Sequence, residues 1–178
     1  MKARTLREFF PIIFITLVVF LAVALLSVTY SITKDEIKTQ EELKIQRLLE
    51  EMFPEMSEYT LKNEVYTVYS KGDTVGYAFV ATGKGYGGTI DILVGLKNET
   101  TVKGIKIISQ QETPGLGNKI LESDFTSNFT TLDINNIFLK RDGGSIDAIT
   151  GATISSRAVT DAVRTTILEK LEALKESK

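Results

Sequence analysis

The run from Phe9 to Tyr30, FFPIIFITLVVFLAVALLSVTY, holds 22 residues without a charge. As a helix it would reach about 33 Å, enough to cross a hydrocarbon core of about 30 Å. A secretory signal carries a shorter apolar region, about 7 to 15 residues, before its small-residue cleavage site, so this length predicts an anchor that stays in place. Pro11 falls near the start of the span, where a missing N–H costs little. Lys2, Arg4 and Arg7 precede it with only Glu8 opposing them, which puts the N-terminus in the cytoplasm and the remainder on the outer, periplasmic side of the cell (inner) membrane.

After the span the pattern changes twice. Between Lys34 and Glu51, Ile37, Leu43, Leu48 and Leu49 stand among charges and strong helix formers, predicting a helical stalk that Pro54 ends. Four stretches with β-branched and aromatic alternation follow, at 64–70, 74–82, 88–96 and 102–109. The breaks between them are too short for crossover helices, so neighbouring strands are expected to run antiparallel as a meander. A short helix is expected near Ile120 to Phe125, and the apolar run Ile137 to Leu139 is stopped by Arg141-Asp142-Gly143-Gly144. From Ser155 onward, Ala158, Val159, Ala162, Val163, Ile167, Leu171 and Leu174 recur at helical spacing opposite Arg157, Asp161, Arg164, Glu169 and Lys170. The expected organisation is an anchor at 1–30, a stalk at 31–54 and one domain at 55–178. Its class is α+β, an antiparallel sheet flanked by helices.

Composition narrows the chemistry. With 21 Lys and Arg against 23 Asp and Glu there is no basic excess to attract nucleic acid. The chain contains no Cys and no His, which excludes disulfides, thiolate metal sites, the usual haem ligands and the Ser–His–Asp or Cys–His nucleophile systems. Redox work by such a chain requires a bound organic cofactor.

Three segments hold more turn chemistry than connection requires. Gly85-Tyr86-Gly87-Gly88 lets a backbone approach a ligand while Tyr86 offers a ring, or it is a glycine-rich hairpin with a packing tyrosine. In Glu112-Thr113-Pro114-Gly115-Leu116-Gly117, Pro and Gly suit the centre of a type II turn. There Glu112, Thr113 and Leu116 supply the polar and apolar contacts of a small-molecule site, or belong to an ordinary loop. At the mouth of the last helix, Asp147 to Ser156 is rich in hydroxyls that either cap the helix or face a phosphate held by its free N–H groups. No Gly-Lys-Ser or Gly-Lys-Thr follows a glycine-rich loop, so this is not a nucleoside triphosphate loop.

Taken together behind one anchor, the Gly85–Gly88 turn, the Glu112–Gly117 run, Asp142-Gly143-Gly144 and Thr150-Gly151-Ala152-Thr153 resemble the FMN-binding domain of the membrane-anchored flavin subunits of bacterial and archaeal redox pumps. The G subunit of the Rnf electron-transport complex is the nearer resemblance, and the C subunit of the sodium-pumping NADH:quinone oxidoreductase is the sibling. In that family Asp-x-x-Ser/Thr-Gly-Ala-Thr directs attachment of FMN through its phosphate to the last hydroxyl. Asp147, Thr150, Gly151, Ala152 and Thr153 match it position by position, which implies Thr153 as the attachment residue; on physical grounds the start of the helix from Ser155 can hold the linked phosphate with backbone donors. The resemblance further implies Tyr86, Glu112, Thr113 and Leu116 around the cofactor, and a separate flavin transferase that uses FAD and magnesium. It also implies partner membrane subunits, and electron relay between ferredoxin and NAD coupled to Na+ or H+ movement, with no turnover by the isolated chain. Related sequences often carry His where this one has Gln111. An anchored FMN-binding or non-redox sensor domain outside any pump is the competing reading.

Overall fold

A computed structural model describes residues 2–176, and their side chains except at 2–8, 35, 38 and 173–176. The side chains of Lys2, Arg4, Arg7 and Glu8, on which the orientation rests, and that of Leu174 therefore lie outside the described residues. The chain divides into two compact units, one up to Leu43 and one from Lys44 onward.

The first unit is helical. It belongs to α1 (Lys2–Met52), which includes Pro11 in its interior. Phe9–Lys34 is the one stretch among the described residues long and apolar enough to cross a membrane. The hydroxyls of Thr16 and Thr29 within it are satisfied locally, donating to the carbonyls of Ile12 and Leu25, four residues back, at 2.8 and 2.9 Å. Such back-bonding removes the cost of an unpaired donor in lipid.

The second unit is built on an antiparallel meander of five strands in sequence order: β1 (Glu58–Lys62), β2 (Val65–Ser70), β3 (Asp73–Lys84), β4 (Thr89–Asn98) and β5 (Thr101–Ser109). β1 was not expected. It is a short edge strand, exposed at every position, so it lacks the alternation that marks a half-buried strand. In the centre Phe79 pairs with Val94 and Ala81 with Ile92, and β4 is apolar on both faces because both are covered.

One face carries α3 (Thr153–Glu176), whose Val159, Val163, Ile167 and Leu171 pack with Phe79, Ile92, Val94 and Leu96. The segment between β5 and α3 completes that layer with Phe125, Phe129, Ile137 and Ile146. It includes the short α2 (Ser123–Thr126), preceded by a 3-10 turn at Gly117–Leu121 where one short helix was expected. The opposite face is closed by the last turns of α1, where Leu49, Met52 and Phe53 pack on Val68, Ala78 and Leu93. Charges fix the same contact: Lys103 pairs with Glu55 and lies 4.6 Å from the Phe53 ring centroid, and Lys106 pairs with Glu51 at 2.9 Å. α3 begins at Thr153, two residues before the expected start, because the N–H of Ser156 already reaches the carbonyl of Ala152 at 3.0 Å.

Phe53 is fully buried, so Phe53→Ala is expected to cost about 3–5 kcal/mol, read as a lowered urea midpoint in the near-ultraviolet dichroism of the tyrosines. A loss below about 1 kcal/mol would show that the end of α1 is not part of this core. The Lys103 ammonium, by hydrogen bonding, holds the Glu55 carboxyl below its ordinary range, assisted by a backbone hydrogen bond at Glu55 and opposed by burial. A depressed carboxyl contributes stability above its unfolded value and loses it as pH falls through the folded one. Because this pair is partly exposed and screened by solvent, Lys103→Met should flatten the acid limb of the stability profile by less than about 1 kcal/mol.

Candidate functional site

The three segments singled out in the sequence meet at one end of the sheet. The β3–β4 turn is closed by the N–H of Gly85 on the carbonyl of Gly88 at 2.8 Å. The loop after β5 contains the expected turn: Leu116 N–H reaches Thr113 C=O at 3.3 Å, with Gly115 at φ +77° in the position that a type II turn reserves for glycine. The third segment turns into α3 through Gly151, at φ +81°, in a turn closed by Ala152 N–H on Ile149 C=O at 3.0 Å.

The carboxylate of Glu112 ties these segments together. Glu112 is 5% exposed. Its Oε1 accepts from Gly87 N–H at 2.9 Å, and its Oε2 accepts from Tyr86 N–H at 3.3 Å and from the Ser155 hydroxyl. A buried carboxylate is tolerable when its oxygens are engaged by donors in this way. Close approach dictates two glycines beside it: a Cβ at Gly85 would stand 2.2 Å from Glu112 Oε1, and one at Gly117 would stand 2.8 Å from Glu112 Oε2 and 2.9 Å from Ser155 Oγ.

Between the segments lies a cleft of about 520 Å³. One wall is Tyr86, Glu112, Thr113, Leu116 and Gly117, and the other is Gly151 to Ser155. This size and mixture of apolar surface with a few polar groups suit a small organic molecule. Tyr86 and Leu116, 74% and 48% exposed, offer apolar surface to an occupant. Glu112 is the one acidic group in the lining, which holds no lysine or arginine among the described residues.

The hydroxyls at the mouth of α3 have different fates. Ser155 serves Glu112, while the Ser156 hydroxyl donates to Ala152 C=O and accepts from Ile149 N–H, both at 3.0 Å. Thr153, the first residue of α3, is half-buried in the cleft wall, and its hydroxyl makes no hydrogen bond among the described residues. It therefore caps nothing. Next to it a shallower hollow of about 230 Å³ is lined by Thr153 and Ile154 with Lys84, Arg157 and Asp161. Arg157 links α3 to the Asp142-Gly143-Gly144 turn through Asp142 at 2.9 Å.

Two sequence-predicted residues stand apart from the cleft. Asp147 pairs with Lys140 at 2.7 Å and lines a separate hollow with Lys119, Glu122 and Asp124. Thr150 is exposed and does not line the cleft. Sequence reasoning missed Ile154 in the lining and the role of Ser155 as a donor to Glu112. The second has no local signal, since the two residues are 43 positions apart.

The model of the FMN-binding domain family matches residues 85–168, which contain the whole cleft. The G subunit of the ion-translocating oxidoreductase complex of Vibrio vulnificus is 34% identical over 168 residues, covering 80% of each chain. The subunit of the same name from Methanosarcina acetivorans is 32% identical over 171 residues, covering 87% of this chain and 91% of that one. Among solved structures, NqrC of Shewanella oneidensis superposes with a TM-score of 0.50 at 20% identity, over 67% of this chain and 73% of that one, a likeness of fold.

Gly85→Ala drives a methyl group into the Glu112 carboxylate, so a loss of about 1–3 kcal/mol is expected in chemical denaturation. Gly104→Ala, like Gly85 outside the left-handed region and with an added Cβ that meets only Thr130 Oγ1 at 3.9 Å, is the control for loss of glycine alone. Equal losses from the two would show that contact with Glu112 is not what requires glycine at 85.

Proposed function

The chain belongs to the family of G subunits of ion-translocating oxidoreductase complexes, and from that premise we propose that it is a membrane-anchored flavoprotein subunit carrying FMN joined through its phosphate to Thr153. The observation that carries this reading is the Thr153 hydroxyl, without a hydrogen bond among the described residues, on the first residue of a long helix and in the wall of a cleft of about 520 Å³. The residues present fit the group. Gly117 and Gly151 keep side chains off two sides of the cleft, and the first turn of α3 provides N–H groups and a dipole suited to a linked phosphate.

When bound, the isoalloxazine supplies the electron chemistry, accepting and returning electrons between neighbouring centres. The chain's contribution is to hold that ring. Tyr86 and Leu116 face it with apolar surface, Thr113 offers a hydroxyl at the rim, and Gly151 and Ala152 leave room at the tether. Asp147, outside the cleft, then acts in recognition by the flavin transferase rather than in holding the flavin. The transferase forms the link from FAD, so Thr153 needs no base of its own, in keeping with a chain without histidine.

The relay belongs to an Rnf-type complex that couples electron flow between ferredoxin and NAD to Na+ or H+ movement. The isolated chain has no turnover. Phe9–Lys34 anchors it in the lipid of the inner membrane, N-terminus in the cytoplasm and cleft-bearing domain outside. There a covalent tether prevents loss of the cofactor.

Protein produced beside a flavin transferase is expected to gain the mass of FMN less one water and to fluoresce in a denaturing gel; Thr153→Ala abolishes both. An adduct that survives in Thr153→Ala contradicts the assignment. Flavinylated protein from its native host should also bring membrane subunits with it on purification. If none copurify, the anchored FMN domain outside any pump is the correct reading.

A further inference from the structure

Glu112 differs from the acidic groups that form ion pairs on this domain. Glu51, Glu55, Glu64, Asp142, Asp147 and Asp161 all meet a lysine or arginine. Glu112 is more deeply buried than any of them, and it is held by the neutral donors of Tyr86, Gly87 and Ser155. Opposing its charge is the partial positive end of α3, equivalent to about half a charge. With no lysine or arginine in the lining among the described residues, the field of this carboxylate acts on the cleft without a basic side chain there to offset it.

We infer that Glu112 sets the reduction potential of the bound flavin, holding it low, rather than serving as a hydrogen-bond partner of the ring. This rests on the reading that FMN occupies the cleft. Its oxygens are already engaged by three donors from the protein, and glycines at 85 and 117 let the backbone close over them. Two-electron reduction near neutral pH takes up one proton from solvent and leaves one negative charge on the ring. A fixed negative charge in the cleft wall opposes that added charge, so the oxidised form is favoured and the reduced form becomes the stronger donor. The same carboxylate that ties the three segments together thus also acts on the electrons.

The test is a redox titration, followed by flavin absorbance, of the full-length flavinylated protein and of Glu112→Gln and Ser155→Ala. Glu112→Gln removes the charge at nearly constant shape. It should shift the equilibrium at least tenfold toward the reduced form, a rise of about 30 mV for a two-electron couple. Ser155→Ala keeps the charge but removes one of its donors, and should move the potential the other way. A purely structural tie loosens the cleft in both variants and predicts the same direction for both. That result, or an unchanged potential in Glu112→Gln, overturns the inference. If Glu112→Gln is not flavinylated, Ser155→Ala decides: a fall supports the inference, while a rise or no change defeats it. Wild-type protein that shows no flavin adduct by mass instead removes the reading of the cleft on which this inference stands.

Discussion

A buried carboxylate must be met by donors, and here that requirement organises one end of the molecule. Residues 86, 87 and 155 reach Glu112 from a strand turn and from the first turn of a helix. The free energy of burying that charge is acceptable when all three donors are in place, which couples the Gly85–Gly88 turn to the mouth of α3. Glycine at 85 and 117 follows, because any side chain there would occupy the space of the carboxylate itself. The cleft is what remains between segments held in this way.

The scaffold behind the cleft is ordinary physical chemistry. A sheet covered on both faces gives rigid ends to β3 and β5, from which the two loops leave. α3 is anchored along its length by Val159, Val163, Ile167 and Leu171, so its first residue is presented at a fixed place. Binding constellations depend on this kind of support more than on the loops that bear them. Among the described residues the Thr153 hydroxyl is left free because its neighbours do the local bonding: Ser156 closes the turn, Ser155 holds Glu112, and neither needs help from position 153.

Much of this was legible in the sequence where a period exists to be read. The stripe on α3 and the alternation in β2 to β5 carry the fold class, and the short breaks carry the antiparallel order. β1 was not legible, since a fully exposed edge strand of five residues has no buried side to alternate with. The use of Leu49, Met52 and Phe53 as core was hidden among the charges of the stalk region, because a helix that gives only its last turns to a core shows no long stripe. The motifs pointed to loops that the structure brings together at the cleft, but Glu112 and Ser155 find each other only in three dimensions. Asp147 and Thr153 belong to one motif of the resembled family, and the turn at Gly151 places them in the linings of different hollows.

These residues combine into a cleft with one acidic group in its lining, beside a hydroxyl that makes no hydrogen bond among the described residues, on a chain that belongs to the G-subunit family. Whether that hydroxyl is the flavin tether can be read directly. Trypsin cleaves after Arg141 and Arg157, releasing Asp142 to Arg157 as one peptide that contains Ser145, Thr150, Thr153, Ser155 and Ser156. Fragmentation of this peptide from protein isolated from its native membrane should place the whole FMN increment on Thr153. An unmodified peptide, or an increment on any other hydroxyl within it, would contradict the account.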